Sequence, residues 1–362
     1  MSALISTCDS FFFLLKQISH DLNYISTNTT NVLALIGAWY TFRLSVKVGS
    51  WFVTSAKCVT SSFRRNYIKS YGQWAVVTGC TSGIGQSFAR RLASEGLNII
   101  LISRNSTALK VESSYIENMY NVHTLILEQD FANVSLDSMK EIKEIFNKLD
   151  IGILINNVGI HYDFPMRFDF VDEERTHSLI QVNIRTTVSL THAVLPGMIK
   201  RKRGLVVNMS SGAACLPIPY IALYSATKEF ISHFSESLHY EMKQYNIHVQ
   251  SLMPMYVATN MTSFSKILNQ SSLITPTPVT YVNQAMRTLG LYRVNTGYFP
   301  HTVQVSILVI HHSMADIRIT VFFSDLVSES DAPLFVHQII SLVSTATESG
   351  RDLQKEEYLV LR

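Results

Sequence analysis

The chain has 362 residues, of which 47% are hydrophobic and 16% are charged, and its formal net charge is +3. This length accommodates one large domain with appended segments, or two small domains. The slight positive charge is dispersed, without a basic stripe interleaved with aromatic residues, which argues against a nucleic-acid-binding protein. The four cysteines lie far apart and show no metal-ligand spacing, so we expect reduced thiols in an intracellular protein and no metal site.

Residues 1–70 are predicted to form a membrane-associated segment of apolar or amphipathic helical character. The first ten residues lack a basic run, so a cleaved secretory signal is not expected. An apolar segment extends over 32–53 and is interrupted by Arg43 and Lys47. Two charges near the middle of this segment disfavour a plain spanning helix. Its tryptophan, tyrosine and basic residues are typical of a helix lying at a membrane interface. The alternative is an amphipathic helix packed on the folded domain or on a partner subunit.

A glycine-rich turn lies between a predicted strand over 74–78 and a predicted helix. From Thr78 to Gly85 the spacing is Thr-Gly-x-x-x-Gly-x-Gly. Glycines let the backbone approach a pyrophosphate, and the helix N-terminus supplies N–H groups and a positive dipole. An isolated glycine pattern is often only a turn, but its place between a strand and a helix favours a nucleotide site.

The next predicted strand, 98–102, ends at Ser103 and Arg104. In a dinucleotide-binding fold this is about the distance at which the chain meets the adenosine ribose. An acidic residue there would bind the 2′-hydroxyl of NAD, whereas a guanidinium matches the geometry of a 2′-phosphate. The pair therefore favours NADP, although a surface arginine after a strand is also common.

Two further apolar runs continue the pattern and complete the first half of a large domain over 71–300. The run 124–131 predicts a strand with Asp130 at its carboxyl end, and 151–155 opens into Asn156-Asn157-x-Gly159. Continuous apolar strands alternating with amphipathic helices predict an α/β fold, a Rossmann-type doubly wound parallel sheet with helices on both faces. Ligands bind such sheets at the carboxyl ends of the strands.

Tyr224 and Lys228 are spaced so that both side chains would lie on one face of a helix. A free tyrosine has a pKa of about 10, which is too high for acid–base work near neutrality. A nearby ammonium group favours the phenolate and would lower that pKa. The pair offers a mechanism, but any amphipathic helix can produce the spacing by chance.

Several motifs in one order give the sequence a family resemblance over about residues 70–300. They are Thr78-Gly79-x-x-x-Gly83-x-Gly85, Asn156-Asn157-x-Gly159, Asn183, Ser211 and Tyr224-x-x-x-Lys228. The chain resembles the short-chain dehydrogenase/reductase superfamily. Within it, the chain is similar to 17β-hydroxysteroid dehydrogenases and very-long-chain 3-oxoacyl-CoA reductases, and most of all to hydroxysteroid dehydrogenase-like proteins. Members of that last group can lack the catalytic tyrosine and are then regarded as inactive, whereas this sequence retains it.

The resemblance implies a role for each matching residue. Tyr224 would donate the proton, Ser211 would polarise the substrate carbonyl, Lys228 would lower the tyrosine pKa and bind the nicotinamide ribose, and Asn183 would hold a water that links Lys228 to solvent. A fifth predicted strand, 206–211, ends in two serines, and Ser211 is preferred over Ser210 because it lies thirteen residues before Tyr224, the family spacing. The implied cofactor-binding residues are Thr78, Gly79, Gly83, Ile84, Gly85, Ser103, Arg104, Asp130, Asn157, Gly159, Tyr224, Lys228, Val257 and Thr259, with Pro254 also near the nicotinamide.

The sequence departs from the family pattern at three places. Val158 replaces the usual alanine of Asn-Asn-Ala-Gly, and Met255 replaces the glycine of a Pro-Gly pair near the nicotinamide. The residues after His312 do not resemble the branch, so 301–362 is treated as a divergent C-terminal segment. A Ser-, Thr- and Met-rich stretch at about 255–280 is long for a structureless loop and predicts a substrate lid.

The sequence therefore predicts an NADP(H)-dependent oxidoreductase that interconverts a ketone and a secondary alcohol on a lipid-type substrate, a steroid or a 3-oxoacyl-CoA. The alternative is a catalytically silent member that binds nucleotide and acts as a scaffold. The resemblance and the N-terminal segment together imply association with an intracellular membrane, that of the endoplasmic reticulum or the mitochondrion. The expected assembly is a homodimer, and no nucleic-acid partner is expected.

Overall fold

The computed structural model describes residues 67–262 and 270–308, together with short helical pieces between residues 16 and 49. The chain divides into two units, Met1–Ser61 and Ser62–Arg362. The proposed borders at residues 70 and 300 are not tested by this division and stay predictions. Most of the divergent segment 301–362 and part of the predicted lid fall outside the described residues.

In the first unit the longest described piece is helical over 34–43. Its large apolar side chains, among them Leu35, Trp39 and Phe42, are exposed within that unit. Among the described residues, no helix combines the length and the apolar character that crossing a membrane requires.

The second unit is built on a seven-stranded sheet with the order β3-β2-β1-β4-β5-β6-β7, in which all paired strands are parallel. The strands are β1 (Trp74–Thr78), β2 (Asn98–Ser103), β3 (Thr124–Glu128), β4 (Ile151–Asn156), β5 (Gly204–Met209), β6 (Ile247–Leu252) and β7 (Val294–Asn295). The helices are α1 (Gly83–Ser94), α2 (Ser106–Tyr120), α3 (Leu136–Asn147), α4 (Glu173–Ile180), α5 (Thr186–Arg201), α6 (Ala222–Met242) and α7 (Pro278–Ala285). Residues 299–308 form a further helical stretch.

Helices cover both faces of the sheet because successive strand residues point to opposite sides and are nearly all apolar. In β1, Ala75 and Val77 belong to the core on one face, with α1, α2 and α7. Val76 belongs to the core on the other face, with α3, α5 and α6. Strands β4 and β5 are buried along their whole length. The predicted doubly wound parallel sheet is confirmed.

Two predicted strand boundaries are corrected. The third strand ends at Glu128 rather than residue 131, because Asp130 caps a short 3₁₀ turn, Phe131–Asn133, which breaks the strand. The fifth strand begins at Gly204 and ends at Met209, so Ser211 lies beyond it and caps another 3₁₀ turn. The strand order reverses between β1 and β4, which opens a crevice at the carboxyl ends of these strands.

Candidate active site

Tyr224 and Lys228 lie on the first turns of α6, and both side chains are buried. The Lys228 Nζ is 5.7 Å from the centre of the Tyr224 ring. The same Nζ donates a 2.9 Å hydrogen bond to the carbonyl oxygen of Met209, at the end of β5. Burial lowers the pKa of Lys228 to about 8. The helix therefore places an ammonium group of reduced basicity beside a buried phenol.

The phenol itself responds mainly to its own burial. Burial raises the pKa of Tyr224 to about 12, while a hydrogen bond with the Ser211 hydroxyl acts in the opposite direction and the nearby Tyr256 raises it further. The sequence prediction that Lys228 lowers this pKa is not met by the protein alone. Loss of solvent around the phenol disfavours the phenolate more than the hydrogen bond with Ser211 favours it.

Ser211 lies two residues beyond the end of β5, and its hydroxyl contacts the phenol of Tyr224. Its Oγ accepts a 3.1 Å hydrogen bond from the backbone N–H of Ala213, which orients the side chain as the cap of a short 3₁₀ turn. The hydroxyl thus has two contacts, one structural and one with the phenol of Tyr224.

Asn183 lies in a π-helical turn, Gln181–Arg185, between α4 and α5. Its Oδ1 accepts a 2.8 Å hydrogen bond from Ile160 N–H, and its Nδ2 donates to Ile160 O at 3.0 Å and to Thr227 Oγ1 at 3.1 Å. A Cβ on Gly159 would lie 3.3 Å from both Asn183 Oδ1 and Lys228 Nζ. The four predicted catalytic side chains, Asn183, Ser211, Tyr224 and Lys228, therefore lie around one site at the carboxyl edge of the sheet.

The glycine-rich turn is shaped by close backbone approaches. Gly79 and Gly83 have φ values of +62° and +58°, a region that favours glycine. A Cβ on Gly85 would lie 2.2 Å from the carbonyl oxygen of Gly79, so any side chain there would open the turn. Ile84, in the first turn of α1, packs against the core and anchors that helix start. The turn and the N-terminus of α1 form the cradle that a pyrophosphate needs.

Thr78 and Asn157 bind each other across the ends of β1 and β4. Thr78 Oγ1 accepts hydrogen bonds of 2.9 Å from the N–H groups of Asn157 and Val158. Asn157 Nδ2 donates to the carbonyl oxygens of Thr78 at 3.0 Å and Gly79 at 3.2 Å. These two predicted cofactor residues therefore brace the glycine turn with their side chains.

The predicted ribose-phosphate residues lie at the end of β2. Ser103 is buried, and its hydroxyl is 3.1 Å from the Thr81 hydroxyl on the glycine turn. Arg104 is exposed and forms no ion pair with any described residue. Asp130, beyond β3, caps the short 3₁₀ turn that follows it. Its carboxylate accepts hydrogen bonds from Ala132 N–H at 3.1 Å and from Asn133 Nδ2 at 3.2 Å.

The loop after β6 joins the glycine turn to the catalytic side chains. Pro254 O accepts a 2.8 Å hydrogen bond from Gly212 N–H, and Val257 is buried. A Cβ on Gly83 would lie 3.2 Å from the methyl group of Thr259. A Cβ on Gly212 would lie only 2.1 Å from Met255 Sδ, so the Met255 side chain occupies the space directly over Gly212, next to Ser211.

Three residues near the site were not predicted. The rings of His161 and Tyr224 have centroids 4.2 Å apart, Tyr256 interacts with the Tyr224 phenol, and Thr81 contacts Ser103. For His161, the only available signal was its place two residues after Asn156-Asn157-x-Gly159. In the part of the chain that the structure describes, no three His, Cys, Asp or Glu side chains are grouped for metal binding.

Comparisons with known proteins agree with this fold. The short chain dehydrogenase family model matches residues 73–267. The inactive hydroxysteroid dehydrogenase-like protein 1 of Homo sapiens is 42% identical over 303 residues, covering 83% of this chain and 90% of that protein. The very-long-chain 3-oxoacyl-CoA reductase of Homo sapiens is 41% identical over 239 residues, covering 66% of this chain and 75% of the reductase.

A solved short-chain dehydrogenase from Sphingobium yanoikuyae, in complex with NADPH, has a TM-score of 0.59 and 22% identity, and the match covers 72% of this chain and 98% of that one. At this identity the likeness shows the fold. The family model and the sequence relatives show that the chain belongs to the short-chain dehydrogenase family.

Proposed function

We propose that the protein is an NADP(H)-dependent oxidoreductase that interconverts a ketone and a secondary alcohol on a lipid-type substrate, a steroid or a 3-oxoacyl-CoA. The observation that carries this proposal is the contact of the Tyr224 phenol with the Ser211 hydroxyl, beside the buried Lys228 and next to the glycine turn. This arrangement combines a proton donor, a carbonyl-polarising group and a cation at one sheet edge.

The proposed chemistry assigns each side chain one task. NADPH, when bound, supplies the hydride. Ser211 donates a hydrogen bond to the substrate carbonyl oxygen, and Tyr224 delivers a proton to the same oxygen. Lys228 lies beside the Tyr224 ring and stabilises the phenolate that remains after proton transfer. Asn183 holds the Ile160 backbone and the start of the π-helical turn around Lys228.

The residues present fit an NADP cofactor. The crowded Gly79–Gly85 contact leaves room for a pyrophosphate only because neither position has a side chain. The exposed Arg104 at the end of β2 can present its guanidinium to a 2′-phosphate, and the Ser103 and Thr81 hydroxyls lie beside it. Gly159 provides close backbone approach next to Lys228, on the nicotinamide side.

A lipid-type substrate is supported by exposed apolar side chains in the predicted lid. Tyr256, Met261, Leu273 and Ile274, on either side of residues 263–269, expose large apolar surface. Residues 263–269 themselves lie outside the described part of the lid. The 41% identity to a very-long-chain 3-oxoacyl-CoA reductase supports the same substrate class.

The test is a ketone panel of steroids and 3-oxoacyl thioesters, followed by NADPH absorbance. Replacement of Tyr224 by Phe is expected to lower kcat/KM by at least about a hundredfold, because a positioned general acid contributes that much. Tyr240→Phe is the matched control, since Tyr240 is exposed on the same helix. Turnover that survives Tyr224→Phe unchanged would contradict the assignment.

A catalytically silent, nucleotide-binding scaffold is the second candidate. Met255 lies over Gly212 and narrows the space beside Ser211, where a substrate carbonyl would bind. The 42% identical human relative is described as inactive. NADPH binding measured by cofactor fluorescence, with no oxidation in the presence of any ketone of the panel, would favour this candidate.

We further propose that residues 1–70 attach the protein to an intracellular membrane, of the endoplasmic reticulum or the mitochondrion, and that it forms a homodimer. The exposed apolar side chains of helix 34–43 support the membrane contact, and the exposed Phe230 on α6 supports a subunit contact. Alkaline extraction of membranes tests the first proposal, and full release of the complete chain would contradict it. Sedimentation tests the second.

A further inference from the structure

His161 lies against the ring of the proposed catalytic tyrosine, although it belongs to none of the motifs that define the site. The two ring centroids are 4.2 Å apart, and the ring planes are inclined by 57°. A contact this short places the imidazole face and the phenol ring in van der Waals contact. The His161 ring is therefore part of the wall that holds Tyr224.

The position of His161 is determined by hydrogen bonds on both sides of it. Ile160 is bound through both its N–H and its carbonyl group to the side chain of Asn183. The buried hydroxyl of Tyr162 accepts a 3.2 Å hydrogen bond from Leu223 N–H, at the start of α6. Residues 160–162 are thus attached to the π-helical turn and to the helix that carries Tyr224, which keeps the imidazole in place.

The surroundings of His161 favour its neutral form. Its Nδ1 is 2.8 Å from the carbonyl oxygen of Tyr162, which is the distance of a hydrogen bond donated by Nδ1–H and leaves Nε2 without the proton. Burial lowers the pKa of His161, and the positive charges of Lys228 and Arg175 lower it further, while the hydrogen bond with the Tyr162 carbonyl and the charge of Asp163 act in the opposite direction.

The charged and titratable groups around the imidazole come from each neighbouring element. Tyr224 and Lys228 face it from α6, Arg175 from α4, and Tyr162 and Asp163 from its own segment. Asp163 is paired with Arg175, which reduces what this carboxylate can contribute to an imidazolium. A protonated His161 would therefore be a second buried cation next to Lys228.

We propose that His161 is a positioning residue for Tyr224: the neutral imidazole holds the phenol ring in its reactive orientation, and protonation displaces the imidazole and reduces activity at acid pH. The inference rests on the proposed function and adds a group that the family motifs do not contain. A buried imidazolium without a free carboxylate partner is costly, so the protonated ring moves towards water and leaves the Tyr224 ring unsupported.

The kinetic test compares the pH dependence of kcat and KM for the wild type, His161→Phe and His161→Ala with a reactive ketone. Phe keeps the ring contact without a titrating group, so kcat at neutral pH is expected within about threefold of the wild type. The decline that the wild type shows at acid pH, below the ordinary titration range of histidine, should disappear. Ala removes the ring, so kcat should fall about tenfold while KM changes less, because a small misplacement of the acid affects the reaction more than binding. His177→Phe, at an exposed position on α4, is the matched control and should leave the profile unchanged.

A wild-type acid limb that persists in His161→Phe, or a normal kcat in His161→Ala, would overturn the proposal. Retained NADPH binding in each variant shows that the fold is intact.

A second measurement separates this inference from the proposed function, because it needs no turnover. Histidine-labelled full-length protein with NADP⁺ is titrated by NMR, with the His161 signal identified by its loss in His161→Phe. The signal is expected to titrate below the ordinary pKa of histidine, about 6.5, and to move in Tyr224→Leu, which removes the adjacent ring, but not in Tyr224→Phe. If His161 titrates at the ordinary histidine value and its signal is unchanged in Tyr224→Leu, the inference is wrong even if a ketone is reduced. If the NMR result is as expected and no ketone is reduced, the contact stands and the proposed function fails.

Discussion

The cofactor side and the substrate side of the site are built on different principles. On the cofactor side, Gly79, Gly83 and Gly85 let backbone approach backbone, and Thr78 and Asn157 bind each other across the strand ends. On the substrate side, the space next to Ser211 is set by side chains, chiefly Met255 over Gly212 and His161 against Tyr224. The first kind of site is specified by short motifs, whereas the second depends on residues distant in sequence. Substrate choice can therefore change while the cofactor side stays the same.

The backbone character of the cofactor side makes its central glycine the most sensitive position. In Gly85→Ala the new Cβ would lie 2.2 Å from Gly79 O and 2.4 Å from Asn157 Nδ2, so the turn must open. We expect NADPH binding to weaken by at least about a hundredfold, which corresponds to roughly 3 kcal/mol. Fluorescence titration with NADPH is the measurement. Gly197→Ala is the control, because a Cβ there meets only the guanidinium of Arg201. Equal NADPH affinity in both variants would show that the cofactor side tolerates side chains after all.

On the substrate side, a buried histidine ties the loop after β6 to the lid. His301 Nδ1 accepts a 3.3 Å hydrogen bond from Met255 N–H, and His301 Nε2 donates a 3.2 Å hydrogen bond to Ile274 O. Burial lowers the pKa of His301 to about 4, from an ordinary value of 6.5. Since the unfolded state then takes up the proton first, the stabilisation is complete above about pH 6.5 and is lost as pH falls towards 4.

The expected loss is on the order of 2 kcal/mol of unfolding free energy between these two pH values. Urea unfolding at a series of pH values measures it. His301→Gln retains a donor and an acceptor without titrating, so its acid destabilisation should be smaller than that of the wild type. The same acid slope in both proteins would exclude His301 as its source. His233→Gln, at an exposed position on α6, controls for a general effect of removing a histidine.

Arg104 tests whether the cofactor side distinguishes NADP from NAD. Because Arg104 is exposed and forms no ion pair with any described residue, Arg104→Ala should leave the fold unchanged. The affinity for NADPH is expected to fall about tenfold, the loss of one charge-assisted contact, while that for NADH stays the same. Equal losses for both cofactors would mean that Arg104 does not contact the 2′-phosphate. Arg91→Ala is a suitable control, because Arg91 lies in the last turn of α1 and its guanidinium pairs with Glu95.

The smallest effect is expected at Gly212, on the substrate side. A Cβ in Gly212→Ala would meet the flexible thioether of Met255, which can move, so the loss of stability should stay below about 1 kcal/mol. The displaced thioether would change KM for bulky ketones more than kcat. The double variant Gly212→Ala with Met255→Ala removes the conflict and should return KM towards the wild-type value. Steady-state kinetics of the wild type, the two single variants and the double variant tests this expectation, and additive effects on KM would show that the two positions are independent.

The sequence alone determined the sheet and the glycine turn that follows β1. Long apolar strands such as β1 and β4 can be buried only on both faces, and the Gly79–Gly85 spacing after a strand permits one kind of turn. The Tyr224–Lys228 spacing likewise placed both side chains on one helix, because helical periodicity is local. Strand ends were less well predicted, since capping by Asp130 and Ser211 depends on a single side chain.

Tertiary structure decided what surrounds these motifs. The direction of the Tyr224 pKa depends on how much solvent the folded chain removes, and the spacing of two residues contains no such information. The contacts of His161 with Tyr224, Met255 with Gly212 and His301 with the loop after β6 join residues more than forty positions apart. Contacts of this kind arise from the packing of whole elements, so local periodicity determines the scaffold and the cofactor turn, while the fold determines the environment in which the catalytic side chains titrate.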